Sequence, residues 1–332
     1  TTLSQKQETR LWADGRVQQI THYHKARFSA PGLQLSASYD SDYGKFEGQL
    51  RLRHSNTQTN AERNERIGHA SGSYRQQQQH DQGQNYELSL DYSHSLNKQH
   101  ELSMGLRLQY NSQQSRGAYW LDYAPDRFLT QFNRDSDNQQ KRYRWHLQDE
   151  WRIDKSWSMN AGVAVEQSDL RLTETTSPLQ RNQQLWSPSL HLAKKFDAPF
   201  KRRLRWSLAR SFKEVEIDQL KSQVDINPLA PCNSLNLCTQ NSADTADRSG
   251  NPALRAETAL AMNLQYEHGL AAASQLSLEW YSRRLRNKIG QELVLMPVAW
   301  SAQARYVERP ANLGEATLYG VNFDWRLAAR DF

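Results

Sequence analysis

The chain has 332 residues, a formal net charge of +6 and an apolar share of 37%, against about 45–50% in ordinary soluble domains. Yet it carries 10 Trp, 14 Tyr and 9 Phe, too many rings and too little net charge for a disordered chain. The sequence pI is near 9.2, but Lys and Arg are spread evenly among 36 Asp and Glu, which argues against a nucleic-acid partner.

No stretch approaches the roughly 20 apolar residues of a membrane-spanning helix. The best run, Leu293-Val294-Leu295-Met296-Pro297-Val298-Ala299-Trp300, is short and holds a proline. The first sixteen residues are polar and show no secretory signal. Either a signal was removed or the chain begins inside a longer one.

In chain order, the first pattern is His22 with His24, two imidazoles on one face if the segment is a strand. A polar lumen pair is the commoner use of that spacing, and no metal site is expected. Then strict alternation begins. Tyr86, Leu88, Leu90 and Tyr92 are followed by Leu102, Met104, Leu106, Leu108 and Tyr110, with polar or small residues between. It returns at Met159, Ala161, Val163 and Val165, at Leu204, Trp206 and Leu208, and at Leu260, Met262, Leu264 and Tyr266. Leu276, Leu278 and Trp280 repeat it, then Val321, Phe323, Trp325 and Leu327. Successive strand side chains point to opposite faces, so each segment is greasy on one face and wet on the other. About 13 or 14 strands are expected on this reading.

Several of these strands reach about 10 residues, the length that crosses a bilayer at a tilt. Their wet faces carry Arg, Gln and Asp at mid-strand, as a water-filled lumen requires. Rings at strand ends (Tyr92, Tyr110, Trp151 with Trp157, Tyr281) are expected in interfacial girdles. Connections alternate too. Short ones fall at Asn97-Lys98, Asp154-Lys155-Ser156, Asp197-Ala198-Pro199 and 270–273, while long polar stretches cover 111–141, 173–184, 212–256 and 290–316. The pattern predicts an all-β fold, an antiparallel up-and-down transmembrane β-barrel.

Cys232 and Cys238 stand in a Pro/Asn/Ser-rich segment with no histidine beside them. A loop-stapling disulfide suits them better than zinc, which needs further ligands. No Gly-x-Ser-x-Gly elbow, phosphate loop or His-Glu-x-x-His is found, and no enzyme activity or cofactor is expected. Ligand capture has a candidate in Arg116, Tyr119, Trp120, Tyr123, Arg127, Phe128 and Arg134, where rings beside guanidiniums suit a flat anionic chelate. Tyr119 and Trp120 fit the aromatic girdle equally well.

The second half also resembles a known family. The stretches Leu185-Trp186-Ser187-Pro188-Ser189-Leu190 and 204–212, then Asn251-Pro252-Ala253-Leu254-Arg255-Ala256-Glu257-Thr258, resemble successive segments of TonB-dependent outer-membrane receptors. So do Trp280-Tyr281-Ser282-Arg283-Arg284-Leu285-Arg286-Asn287-Lys288-Ile289 and Asn312-Leu313-Gly314-Glu315-Ala316 with Tyr319-Gly320-Val321-Asn322. Order and spacing agree, although Ala256 stands where the family prefers proline and Asn322 where it prefers glutamate. In their own chemistry these residues are architectural. Asn251-Pro252 ends a loop, Glu257 is placed to hold the incoming strand through backbone or arginine contacts, and Gly314 and Gly320 suit bulges or close approach.

The resemblance implies a receptor that binds a scarce nutrient (ferric siderophore, haem or cobalamin) outside and passes it through the barrel with energy from TonB. Family barrels have 22 strands. Residues 1–332 are therefore read as an incomplete barrel region with neither plug domain nor energy-coupling segment in view. Expected partners are outer-membrane lipid and lipopolysaccharide, the TonB complex and the nutrient, for a monomer in a Gram-negative outer membrane. The rivals are a passive porin-like channel and a soluble or surface β-protein that binds glycans.

Overall fold

The computed structural model describes residues 2–11, 17–67, 73–121, 135–174, 178–196, 201–222, 224–227, 230, 232–234, 237–238, 240–270, 274–298 and 301–328. Strands β1 (Thr2–Leu11), β2 (Val17–Ser29), β3 (Gly32–Ser41), β4 (Gly44–Ile67) and β5 (Ser73–Ser95) come first. They are followed by β6 (His100–Leu121), β7 (Ser136–Arg152), β8 (Trp157–Glu174), β9 (Leu179–Phe196) and β10 (Arg202–Lys213). A first excursion then holds α1 (Ile217–Leu220), β11 (Val224–Asp225), β12 (Cys232–Ser234), β13 (Leu237–Cys238), a 3-10 turn at Ala243–Thr245 and β14 (Asp247–Ser249). The chain returns through β15 (Glu257–Gly269) and β16 (Gln275–Arg286), departs again as the hairpin β17 (Ile289–Val298) and β18 (Ser301–Asn312), and ends in β19 (Ala316–Arg326).

The main sheet has 13 strands in the order β1-β2-β4-β5-β6-β7-β8-β9-β10-β15-β16-β19, with β3 paired to β4. Neighbours along it are antiparallel, the meander that alternation predicts. Among the described residues β1 and β19 each pair on one side only, so the barrel is not closed. β2 and β3 are physically one strand, because Ser29 opposite Asn56 and Gly32 opposite Arg53 keep a single register. Pro31 lacks an amide donor, which interrupts the ladder there, but its carbonyl still accepts from His54 N at 3.0 Å.

The apolar sets of neighbouring strands meet in register. Leu90 lies opposite Leu106, Leu106 opposite Trp145, Trp145 opposite Val165 and Val165 opposite Trp186. This face points outward, with Leu106 40% and Trp145 42% exposed to the surroundings of the sheet. Val165, at 3%, is covered by two indoles, Trp145 and Trp186, whose ring centroids lie 6.2 Å apart. An outward belt of this extent is untenable in water and is the solvated surface in hydrocarbon.

The turns at one end are short because side chains replace strand partners. Asn97 Oδ1 accepts from the amides of Gln99 (2.7 Å) and His100 (3.0 Å), and Asp154 Oδ1 from those of Ser156 (2.7 Å) and Trp157 (2.8 Å). The Asp154 carboxyl is held below its usual range by those donors. Gly44, at φ +125°, makes the tight return into β4.

At the other end the sequence reading needs correction. Residues 111–121, 136–141 and 179–184, read there as loop, are strand, and the β8–β9 connection covers only 175–178. Likewise 290–316 is mostly the hairpin β17–β18. Loss of apolar alternation marked the end of the hydrocarbon layer, not of backbone pairing, which continues between polar rows. Tyr281 is also misplaced by that reading. It lies beside outward-facing Trp280 and so faces the lumen, over Gly320 of the neighbouring strand.

Inside the sheet, the first excursion folds back onto β8 and β9. Leu170 and Leu172 pack with Val215, Leu220 and Leu254, and Leu179, Ile217 and Ile289 close round them. Their parity is opposite to that of Val163 and Val165, so they line the inner face.

Candidate functional site

The two excursions form one body against the inner face of the sheet, at the end opposite the short turns. β11-β14-β18-β17 make a second sheet of four strands, in which β14 and β18 run parallel. At its centre Arg305 Nε donates to Asp247 Oδ2 at 2.6 Å, and its Nη2 to Asp247 Oδ1 at 2.8 Å and to Ala230 O at 2.7 Å. Asp247 also accepts from Asn227 N at 3.0 Å. This ion pair is 0–1% exposed, so both charges depend on each other and on these backbone partners.

Asparagines complete the join. Asn241 makes two bonds with the backbone of Tyr306, through Nδ2 and Oδ1, each 2.8 Å. Asn251 Nδ2 donates to Pro310 O at 3.0 Å. Asn312 bridges three points: its Nδ2 donates to Arg255 O and Asn287 O (both 2.9 Å) and its Oδ1 accepts from Arg255 N at 2.8 Å. Glu257 Oε2 accepts from Ile289 N at 2.9 Å, a backbone contact of the kind its position in the sequence allows. Pro252 stands in the turn beside them and Leu254 is fully buried beneath. Asn287 at φ 52° and Gly314 at φ 98° are the left-handed corners that turn the chain into and out of the hairpin.

The excursion is tied to the wall as well. Ser222 N donates to Glu174 Oε2 at 2.7 Å, and Arg181 donates to Leu254 O. Burial holds the Arg181 guanidinium below its ordinary pKa, with Arg255 adding to the effect. Glu214, at the root of the excursion, pairs with Arg142. Burial, and then a hydrogen bond to Glu166, push its carboxyl up to about 8.

Between this body and the β5–β6 wall lies a polar cavity of about 580 Å³. Gln79 and Ser115 line it from the wall, Lys221, Asp225, Arg248 and Glu308 from the excursions. Its ions are partnered, Arg248 with Glu308 at 3.1 Å and Lys221 with Asp218 at 2.6 Å. A second cavity of about 340 Å³ sits against the inner face of β7–β10, β15 and β16, where Glu150, His191, Arg205 and Glu279 contribute. Both spaces are lined by polar side chains able to hydrogen-bond a guest.

Of the residues singled out in the sequence, Arg116 lies on the outward face of β6, bound to Asp137 through two bonds of 3.0 and 3.2 Å, which hold its guanidinium above its ordinary pKa. Tyr119 and Trp120 stand within β6, opposite Gln77 and Gln76. Tyr123, Arg127, Phe128 and Arg134 lie outside the described residues. His22 and His24 stand on β2 opposite Lys6 and Ser4. Cys238 is disulfide-bonded and Cys232 is its register partner in the hairpin β12–β13. Tyr319 is an exposed residue of the edge strand β19. The cavity residues Lys221, Asp225, Arg248 and Glu308 carry no periodic signal and were not anticipated.

The arrangement of a lipid-facing meander with inward-folded excursions is matched by a family model, "TonB dependent receptor-like, beta-barrel", over residues 3–331. The chain belongs to the TonB-dependent receptor family. Solved structures with a similar fold include the siderophore receptor PirA from Pseudomonas aeruginosa, at TM-score 0.54 and 14% identity, with 97% of this chain and 58% of PirA covered. The copper transporter OprC follows at TM-score 0.51 and 11% identity, with 98% and 58% covered. The RagAB peptide importer matches at TM-score 0.50 and 14% identity, with 93% and 34% covered. The chain thus spans little more than half the length of the first two. No curated protein matches the chain. TonB-dependent receptor barrels are outer-membrane proteins of Gram-negative bacteria, and the relatives above are receptors and transporters rather than enzymes.

Proposed function

We propose that this chain is the barrel region of a Gram-negative outer-membrane receptor that captures a scarce nutrient and imports it with energy supplied through TonB. The observation that carries the reading is the inward-folded body joined by Asp247 and Arg305, with a polar cavity between it and the β5–β6 wall. A wide passive pore does not need such a lid. A binding receptor does, because the lid shapes a site and keeps it from bulk solvent.

The ligand class we assign is a metal chelate of siderophore, haem or cobalamin type, with Arg116, Tyr119, Trp120, Tyr123, Arg127 and Arg134 as the candidate contacts that the sequence offers. Rings and guanidiniums together suit a flat anionic chelate. The receptor is read as a monomer among outer-membrane lipid and lipopolysaccharide, with neither nucleic-acid partner nor resident cofactor.

The test is uptake of radiolabelled ferric siderophore, haem or cobalamin by iron-limited cells with and without the gene, in backgrounds with and without TonB. Gene- and TonB-dependent uptake of one class supports the reading. Uptake that persists without TonB, or ion conductance of the purified full-length protein in a planar bilayer, favours the passive channel. Trp120→Ala or Arg127→Ala is expected to weaken ligand binding about tenfold, the effect of about 1.4 kcal/mol, with membrane insertion unchanged.

A further inference from the structure

Among the described residues, β17 pairs with β18 alone, so one long edge of the second sheet has no partner strand. Along an antiparallel ladder, residues whose N–H and C=O meet the partner alternate with residues whose groups point to the other side. On β18 the even positions point away from β17. Asn241 holds both backbone groups of Tyr306 at 2.8 Å each, β14 runs beside Glu308, and Asn251 holds Pro310 O at 3.0 Å. Their register partners on β17 are Leu295, Leu293 and Gln291, which therefore point away from β18 in turn. Ile289, in the same phase, sends its amide to Glu257 Oε2 at 2.9 Å.

The two sides of this hairpin are treated differently. The β18 side is covered by a strand and two asparagines, whereas on the β17 side Leu293 and Leu295 are 48% and 56% exposed. Edge strands are ordinarily blunted by charge, proline or a bulge. Here Pro297 and the bulge between Met296 and Val298 blunt only the tip, and Gln291, Leu293 and Leu295 below it are uncharged. These three residues present amide donors and carbonyl acceptors at a repeat of about 7 Å, two residues of strand. An extended backbone matches that repeat, and its alternate side chains meet the apolar row.

Charge at the foot of the strand orients the guest. Gln291 and Glu308 line the polar cavity of about 580 Å³, where three carboxylates (Asp218, Asp225, Glu308) outnumber two cations (Lys221, Arg248). That excess favours an ammonium over a carboxylate. We propose that β17 binds an extended peptide as a further strand, with apolar side chains on Leu293 and Leu295 and the amino end in the cavity. The span from Gln291 to Leu295 takes about five residues, some 17 Å of strand. The site is independent of which chelate the receptor carries.

The test uses the full-length receptor in detergent and a synthetic hexapeptide of alternating valine and threonine, labelled at its carboxyl end and followed by fluorescence anisotropy. Two further peptides carry N-methyl groups on alternate residues, in one phase or the other, which removes the donors of a single edge. Only one phase lays the valines against Leu293 and Leu295, so one methylated peptide is expected to bind like the parent and the other at least tenfold more weakly. Acetylation of the amino end is expected to weaken binding several-fold. Leu293→Pro removes an outward donor but no bond to β18, and should abolish binding. Leu293→Lys with Leu295→Lys keeps every backbone group and should weaken binding at least tenfold. Both variants should keep heat-modifiable migration. No binding of the parent peptide, or undiminished binding by both methylated peptides, by the acetylated one or by either variant, overturns the proposal. So does binding that appears only after residues 122–134 are deleted, which would make the edge a seat for the chain's own segment. A dimer in native mass spectrometry that Leu293→Pro abolishes would overturn it too, in favour of a contact between copies.

Discussion

Asp247 and Arg305 lie 58 positions apart in the chain, yet they form a two-pronged ion pair with almost no solvent contact. The pair joins two excursions that leave the barrel after β10 and after β16, so neither excursion can move without the other unless both charges are bared. Removing one partner leaves the other buried and alone, at a cost of about 3–5 kcal/mol, whereas replacing both with apolar residues restores much of the loss. Arg305→Met is therefore expected to expose residues 214–256 to limited proteolysis while the strands of the belt stay resistant. Adding Asp247→Leu should recover most of the protection. If Arg305→Met were cleaved no faster than the parent, the pair would not be what holds the excursions together.

The lipid-facing assignment has its own test at Leu106, midway along the belt between Leu102 and Tyr110. Arginine on the lipid face near the bilayer centre costs about 2–4 kcal/mol, but close to nothing in the lumen. Leu106→Arg should lower reversible folding stability in vesicles by that amount, and Gln109→Arg, on the opposite face, by little. Equal costs would mean that both faces see the same medium, and the barrel reading would fall.

Much of this was legible in the sequence. The alternation at Leu102, Met104, Leu106 and Leu108 fixes the outward face, and Asn97 and Asp154 announce the tight turns. What escaped was the length of β4–β9, because strand pairing above the membrane needs no apolar side chain and Gln-rich rows read as loop. One signal was present and unused. Apolar residues on β8 switch parity from Val163 and Val165 to Leu170 and Leu172, which marks a strand leaving lipid and burying its inner face under a loop. The Asp247–Arg305 pair could not be read, since nothing local distinguishes a buried ion pair from surface charge. For the same reason the cavity residues Arg248 and Glu308 gave no warning.

Gly320 has a specific reason to be glycine. A Cβ there would come within 2.5 Å of Tyr281 Oη and 2.7 Å of Cζ, because the Tyr281 ring lies across the bare backbone of its register partner. An aromatic side chain covering a strand glycine restores the contact that the glycine lacks. Gly320→Ala should cost about 1–3 kcal/mol through overpacking. In a Tyr281→Ala background the same change should be nearly neutral. A penalty that survived loss of the ring would show that backbone conformation, not the tyrosine, demands glycine.

Glu214 makes the lid sensitive to pH. Its ordinary value is 4.5, and in the folded excursion burial and the hydrogen bond to Glu166 push it up to about 8, against the pull of Arg142. The docked excursion therefore holds a proton that the detached excursion releases between those values. By linkage, docking is strongest below about 4.5, weakens as the pH rises through the window, and is level above about 8. The protection can fall by at most about tenfold per pH unit, and by less where water reaches the carboxyl. Hydrogen exchange of residues 214–222, followed from pH 5 to pH 8.5 and corrected for intrinsic rates, should show protection falling over this range. Glu214→Gln cannot ionise and should flatten the profile while keeping the low-pH protection. A parent profile already flat, or one that rises with pH, would contradict the assignment of the proton to this carboxyl.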